Sequence, residues 1–106
     1  MTDPPIDRMP PMHPGEIIRE DILNELGLSV NALAIALRVT QSRMADIVAG
    51  RRGITADTAL RLARYLGSTP EFWLRLQADY DLKLAEQNSG AAIARQVMPR
   101  ETGPTP

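Results

Sequence analysis

The sequence predicts an all-α fold, a bundle of five or six helices set between Pro-rich ends. Three observations carry this reading. Apolar residues recur at three- and four-residue spacing through the middle of the chain, while alternating patterns and β-branched runs are scarce. Cap residues or prolines stand at the head of the apolar stretches and glycines close several of them. Pro4, Pro5, Pro10 and Pro11 exclude regular helix at one end, as does the run from Pro99 to Pro106 at the other. The expected organisation is a flexible, disordered Pro-rich tail over 1–12, one folded domain over 13–98, and a second flexible tail over 99–106.

Within that domain each helix has its own signals. The first is expected from Pro14, an early position where a missing amide costs nothing, to Leu26, with Ile18, Ile22 and Leu26 on one face and Gly27 as the stop. Ser29 caps a short second helix to Leu37, whose Leu33, Ala34 and Leu37 turn inward. Thr40 caps a third from Gln41 to Ala49, with Met44, Ile47 and Val48 as its apolar stripe and Gly50 beyond it. Thr55 caps a fourth, which carries Leu60, Ala63 and Leu66 and ends at Gly67. Thr69 and Pro70 open a fifth to about Gln87, with Trp73, Leu76, Tyr80 and Leu84 on one face, and a short sixth is expected from Ala91 to Met98.

Composition narrows the function classes. At 106 residues and 43% hydrophobic content the chain suits one domain with a modest core. It has no cysteine and one histidine, so it can assemble no disulfide framework, no thiolate nucleophile and no closed zinc site. His13 lies near no nucleophile pattern and no glycine loop suits a phosphate, so the chain reads as a non-enzyme without cofactor or metal. The start MTDPPIDRMPPM lacks the basic and apolar parts of a secretory signal, and no run of about 18 apolar residues occurs, so a cytoplasmic protein without membrane attachment is expected.

The net charge of −1 conceals a polarity. Residues 1–28 carry a net −4, residues 29–66 a net +4, and residues 67–106 a net −1. A cationic middle with acidic flanks points to an anionic partner for the centre of the chain.

That centre holds two short helices separated only by Arg38, Val39 and Thr40, the spacing of a helix-turn-helix, which lays its second helix in the major groove of DNA. Successive residues placed 100° apart put Ser42, Asp46 and Ala49 on the outward side of the third helix, flanked by Arg43 and Ala45. The small residues permit deep entry. Arg43 suits guanine edges, Gln41 suits adenine or a phosphate, Ser42 donates or accepts, and Asp46 either accepts from cytosine or orients Arg43 three residues before it. Thr40 heads the same helix and joins the contact set, while Arg38 in the turn and Arg51 and Arg52 after the helix are placed for phosphate oxygens. One recognition helix reads few base pairs, so a homodimer is expected, with the fifth helix onward as its seam.

The blocks HPGE at 13–16, GRRGITADTALRLARYLG at 50–67 and TPEFWLRLQADYDL at 69–82 resemble the HigA-type antitoxins over about residues 12–87. The helix-turn-helix alone resembles only the wider phage-repressor class, of which the lambda repressor is typical. The resemblance implies a dimer that binds a palindromic operator in double-stranded DNA, represses its own operon and neutralises a co-encoded HigB-type toxin, a ribosome-dependent mRNA endonuclease. It places the DNA-reading helix on Gln41 to Ala49 and gives Glu71, Phe72 and Trp73 a supporting role in the fold. A stand-alone repressor is the alternative, and a protein-interaction module without DNA binding is a third reading suggested by Asp46 on the reading face. The chain departs from the wider class at Arg38, where glycine is common; a left-handed arginine there costs about 1 kcal/mol relative to glycine.

Overall fold

A computed structural model describes residues 10–101, and among these it forms five helices and no strand. Most of the two expected tails, residues 1–9 and 102–106, lies outside the described residues. The helices are α1 (residues 14–26), α2 (Val30–Leu37), α3 (Gln41–Val48), α4 (Ala56–Leu66) and α5 (Pro70–Gln96).

The HPGE block resolves into four separate physical roles at the head of α1. His13 is the N-cap, its Nδ1 accepting the Gly15 N–H at 2.9 Å, and Pro14 occupies the first helical position. Glu16 places a carboxylate in the first turn, where the helix dipole favours it. Gly15 is buried because α1 lies directly on the end of α3: a Cβ at residue 15 would stand 2.0 Å from the Ile47 carbonyl oxygen. Only hydrogen fits there.

Beyond its first turn α1 departs from the expected 3.6-residue wheel. The helix is α-helical over Pro14–Ile17, π-helical over Ile18–Leu23 and α-helical again over Asn24–Leu26, with the Asn24 N–H donating to the Arg19 carbonyl five residues back. The buried pair is accordingly Ile18 and Leu23, five apart, instead of the expected Ile18, Ile22 and Leu26. Ile22 is half-buried at the core margin and Leu26 is 54% exposed. The wider turn has carried Leu26 off the core, while Ile22 still packs against its margin.

The next three helices start where their caps predict. Ser29 Oγ accepts from the Ala32 N–H, Thr40 Oγ1 from Arg43 N–H and Thr55 Oγ1 from Thr58 N–H. On α4 the inward stripe is Thr58, Ala59, Leu62 and Ala63, so Leu60, expected among its apolar set, points to solvent and Leu66 is half-buried. Ile18, Leu33, Met44, Ile47, Leu62 and Trp73 form the centre of the core, each below 2% exposure and each contributing roughly 1.5–3 kcal/mol of transfer free energy.

The expected break after Gln87 and the separate helix at Ala91–Met98 do not occur, because α5 runs unbroken to Gln96. Asn88, Ser89 and Gly90 are poor helix formers, but each costs at most about 1 kcal/mol, and no proline intervenes before Pro99 to remove a hydrogen bond. Trp73 is the one buried residue of α5, held by a bond from its indole N–H to Ser68 Oγ at 3.0 Å. Leu76, Tyr80 and Leu84 follow it half-buried, and most of the last three turns is exposed.

Gly15→Ala tests the contact between α1 and α3. The obstacle is backbone, which cannot swing aside, so a loss of about 3 kcal/mol is expected. Thermal unfolding should show a fall of roughly 4–8 °C for each kcal/mol lost, and an unchanged midpoint would mean that the two helices are free to separate.

Candidate nucleic-acid interface

The turn between α2 and α3 closes with two bonds, Arg38 N–H to the Ile35 carbonyl at 3.1 Å and Val39 N–H to the Ala34 carbonyl at 3.0 Å. This is the Schellman pattern, and it needs a left-handed residue at position 38. Arg38 adopts φ 60°, ψ 40°, the one positive φ outside glycine among the described residues. The departure noted in the sequence is therefore a real strain of about 1 kcal/mol. Arg61, from α4, donates Nη1–H to the Leu37 carbonyl at 3.0 Å and so satisfies one acceptor that the end of α2 leaves open.

On α3, Met44, Ile47 and Val48 are buried, while Gln41, Ser42 and Ala49 are exposed and Arg43, Ala45 and Asp46 are half-buried. The outer face thus carries small or polar side chains along its length. Thr40, Gln41 and Ser42 sit together at the exposed N-terminal end of the helix.

Two carboxylates organise the arginines. Asp46 binds Arg51 through Nε at 3.1 Å and Nη2 at 2.9 Å, and its second oxygen lies 4.0 Å from Arg52 Nη2. Its backbone carbonyl also accepts the N–H groups of Arg51 and Arg52, at 2.8 and 3.2 Å, so Asp46 folds the post-helix loop back on α3. The expectation that Asp46 orients Arg43 is corrected: Asp46 serves Arg51 and Arg52. Arg43 turns to α4, where Nη2 donates to Asp57 Oδ2 at 2.8 Å and to the hydroxyl of the buried Thr58.

Asp57 also accepts from Arg61 Nε at 2.9 Å, so one chain of contacts joins Leu37 at the end of α2, Arg61 and Asp57 on α4, and Arg43 on α3. Asp57, Thr58 and Arg61 were not singled out in the sequence. The four-residue spacing of Asp57 and Arg61 was visible, but their partner Arg43 lies 14 residues before Asp57, and a helical wheel of one element cannot show it. Beside the turn, Arg38, Asp57, Arg61, Arg64, Leu60 and Tyr65 line an open cleft of about 580 Å³.

The loop after α3 has a second support. The His13 ring is hydrogen-bonded to the Arg52 backbone, meets the Tyr80 ring edge-on at 4.9 Å and lies over Gly50, which has φ 80°. Burial holds the His13 pKa below its ordinary 6.5, against the opposing pull of Asp81, so the ring is neutral at pH 7 and its Nδ1 stays an acceptor.

A family profile described as a helix-turn-helix domain matches residues 19–72. Virulence-associated protein I of Dichelobacter nodosus is 57% identical over 82 residues, 77% of this chain and 76% of its own length. Antitoxin HigA-1 of Vibrio cholerae is 38% identical over 72 residues, covering 68% of each chain. Among solved structures, the Pseudomonas aeruginosa antitoxin HigA with the higBA promoter is 43% identical, with a TM-score of 0.83 over 86% of this chain and 99% of that one.

The network around Asp57 gives a pH signature. Hydrogen bonds from Arg43 first, then Arg61, hold its carboxyl below the ordinary 3.8. Since the folded-state value is the lower one, the stabilisation is whole above pH 3.8 and is lost as the pH falls from there through the folded-state value. Urea unfolding at a series of acidic pH values should show a steeper decline for the parent than for Asp57→Asn. Parallel declines would mean that the pair does not stabilise the fold.

Proposed function

This chain belongs to the HigA-type antitoxins, a helix-turn-helix family, and from that membership we propose that it binds a palindromic operator as a homodimer, represses its own operon and neutralises a co-encoded HigB-type toxin that cleaves mRNA. The observation that supports the DNA role best is the outer face of α3, small and polar, framed by arginines at both ends of the α2–α3 unit. A helix with alanines at 45 and 49 enters a groove without collision and can contact thymine methyl groups.

The residues divide by task. Gln41, Ser42 and Arg43 read base edges, Arg43 by exchanging Asp57 for a guanine, and Asp46 keeps the loop through its backbone carbonyl. Arg38, Thr40, Arg51 and Arg52 meet the phosphates. Replacement of Asp46 by phosphate oxygens at Arg51 is an even exchange of one anion for another, because exposed ion pairs hold only about 0–1 kcal/mol. The strain at Arg38 is offset in the same way when its side chain finds a phosphate.

Features of α5 support dimerisation. At about 1.5 Å per residue its 27 residues span roughly 40 Å, more than the domain packed against its first half uses. Leu82 is 60% exposed and Ile93 51% exposed, and their eleven-residue spacing, three helical turns, puts both on one side. A second copy would cover them and set two recognition helices roughly 34 Å apart. Such a protein works beside the chromosome, in the cytoplasm.

Gel shifts on the protein's own promoter test the contacts. Arg51→Ala with Arg52→Ala should weaken binding to all sequences alike and lower the salt slope by about 1 for each phosphate contact removed. Ser42→Ala or Gln41→Ala should instead cost about 1–3 kcal/mol on the operator and little on unrelated DNA. Equal effects on both DNAs would remove those two residues from base reading.

Co-expression with the small reading frame adjoining the gene tests the antitoxin role. The expected results are a stable complex and restored growth. Operator binding without either would leave a stand-alone repressor.

A further inference from the structure

We propose that the groove between α1 and the junction of α4 with α5 is the seat of the toxin, and that it receives an apolar side chain flanked by lysines or arginines. The proposal rests on the antitoxin reading above and names the surface that performs it. The groove has a volume of about 400 Å³, and its apolar lining includes Ile17, Ile22, Leu26, Leu66 and Phe72.

The π-helical segment builds it. With Ile18 and Leu23 buried five residues apart, α1 leaves Leu26 outside the core and in this groove, beside Ile22, which packs against the core margin. Leu26 is 54% exposed and Phe72 43% exposed, so two large apolar groups on facing elements stand in water within one concavity. π-turns inside α-helices are frequent at functional sites, and their altered periodicity re-aims side chains.

Charge identifies the occupant. Asp21 lines the groove, and Glu20 and Glu25 are exposed on the same helix. The only cation of α1, Arg19, lies 3.6 Å from Glu20, and neither Asp21 nor Glu25 has an ion-pair partner among the described residues. A protein that takes up mRNA must present a cationic surface to the phosphates, and that surface complements an acidic rim. A symmetric contact between two copies of this chain through the groove does not, because it would set one acidic α1 against another.

The position of the groove matters as well. None of its lining residues belongs to α2 or α3, so the toxin can be seated while α3 lies in DNA. Operator binding and toxin binding are then compatible on one protomer.

The test uses the full chain, with the tagged product of the adjoining reading frame as probe. Asp21→Lys with Glu25→Lys is one variant, and Leu26→Asn is the other; all three positions are exposed, and thermal melts confirm the fold. Each variant should weaken toxin binding by about 100-fold, the charge reversal more strongly at low salt, and should lose growth rescue. Operator gel shifts and dimer mass should match the parent, and the parent should form a ternary complex with toxin and operator. Toxin binding within threefold of the parent in both variants would overturn the groove while leaving the antitoxin reading intact. A fall to monomer mass would also overturn it, by assigning the groove to a second copy. Failure of the parent itself to bind the toxin would remove both readings together.

Discussion

The arrangement of this molecule depends on a contact made by two backbones: the first turn of α1 rests against the Ile47 carbonyl at the end of α3, with no room for a side chain at Gly15. The contact fixes where α1 begins, and so where its N-cap must be. His13, placed by that cap, reaches the backbone of Arg52 and the ring of Tyr80. The exit of the recognition helix is therefore tied to both ends of the domain's sequence, the start of α1 and the middle of α5. A neutral histidine is essential to this role, since a proton on Nδ1 would remove the acceptor that caps α1.

The other end of the recognition helix is held by charge. Arg43 reaches α4 instead of solvent, and the Asp57 that receives it also receives Arg61, whose remaining donor closes the end of α2. Exposed pairs of this kind add little to stability. Their effect is positional, because a guanidinium engaged at two acceptors has few rotamers left. In this arrangement Arg43 is held against the neighbouring helix, and any contact it makes elsewhere must first release Asp57.

Most of the fold was legible because its boundaries are set locally. Ser29, Thr40 and Thr55 cap the helices expected of them, Gly27 and Gly67 take the left-handed positions that close their helices, and the three-residue turn lies where the spacing put it. The outward face of α3 was legible for the same reason, since its period is that of an ordinary α-helix. What was not legible depends on elements distant in sequence or on a changed period. The 3.6-residue wheel missed Leu23 and misassigned Leu26 because no residue in IREDIL announces a π-turn. The carboxylate partner of Arg43 was sought on its own helix, at Asp46, because Asp57 belongs to another. The weakness of Asn88-Ser89-Gly90 as helix formers was legible too, but a penalty without a proline does not break a helix.

The two faces of the domain meet in α1. Its first turn touches the recognition helix through Gly15, and its π-helical and last turns carry the acidic groove. Coupling between two sites requires an element that both of them bias. Here α1 is that element, and the contact at its head is unforgiving: movement toward α3 is blocked by the Ile47 carbonyl, while movement away opens the seat of His13 and frees the loop bearing Arg51 and Arg52. A partner in the groove that draws α1 outward would loosen the loop of Arg51 and Arg52, for which phosphate contacts are proposed. One that presses α1 inward would rigidify it. The sign of such a coupling would be set by the direction of force on one helix, and the split of the chain into a −4 segment and a +4 segment gives the two proposed partners separate surfaces.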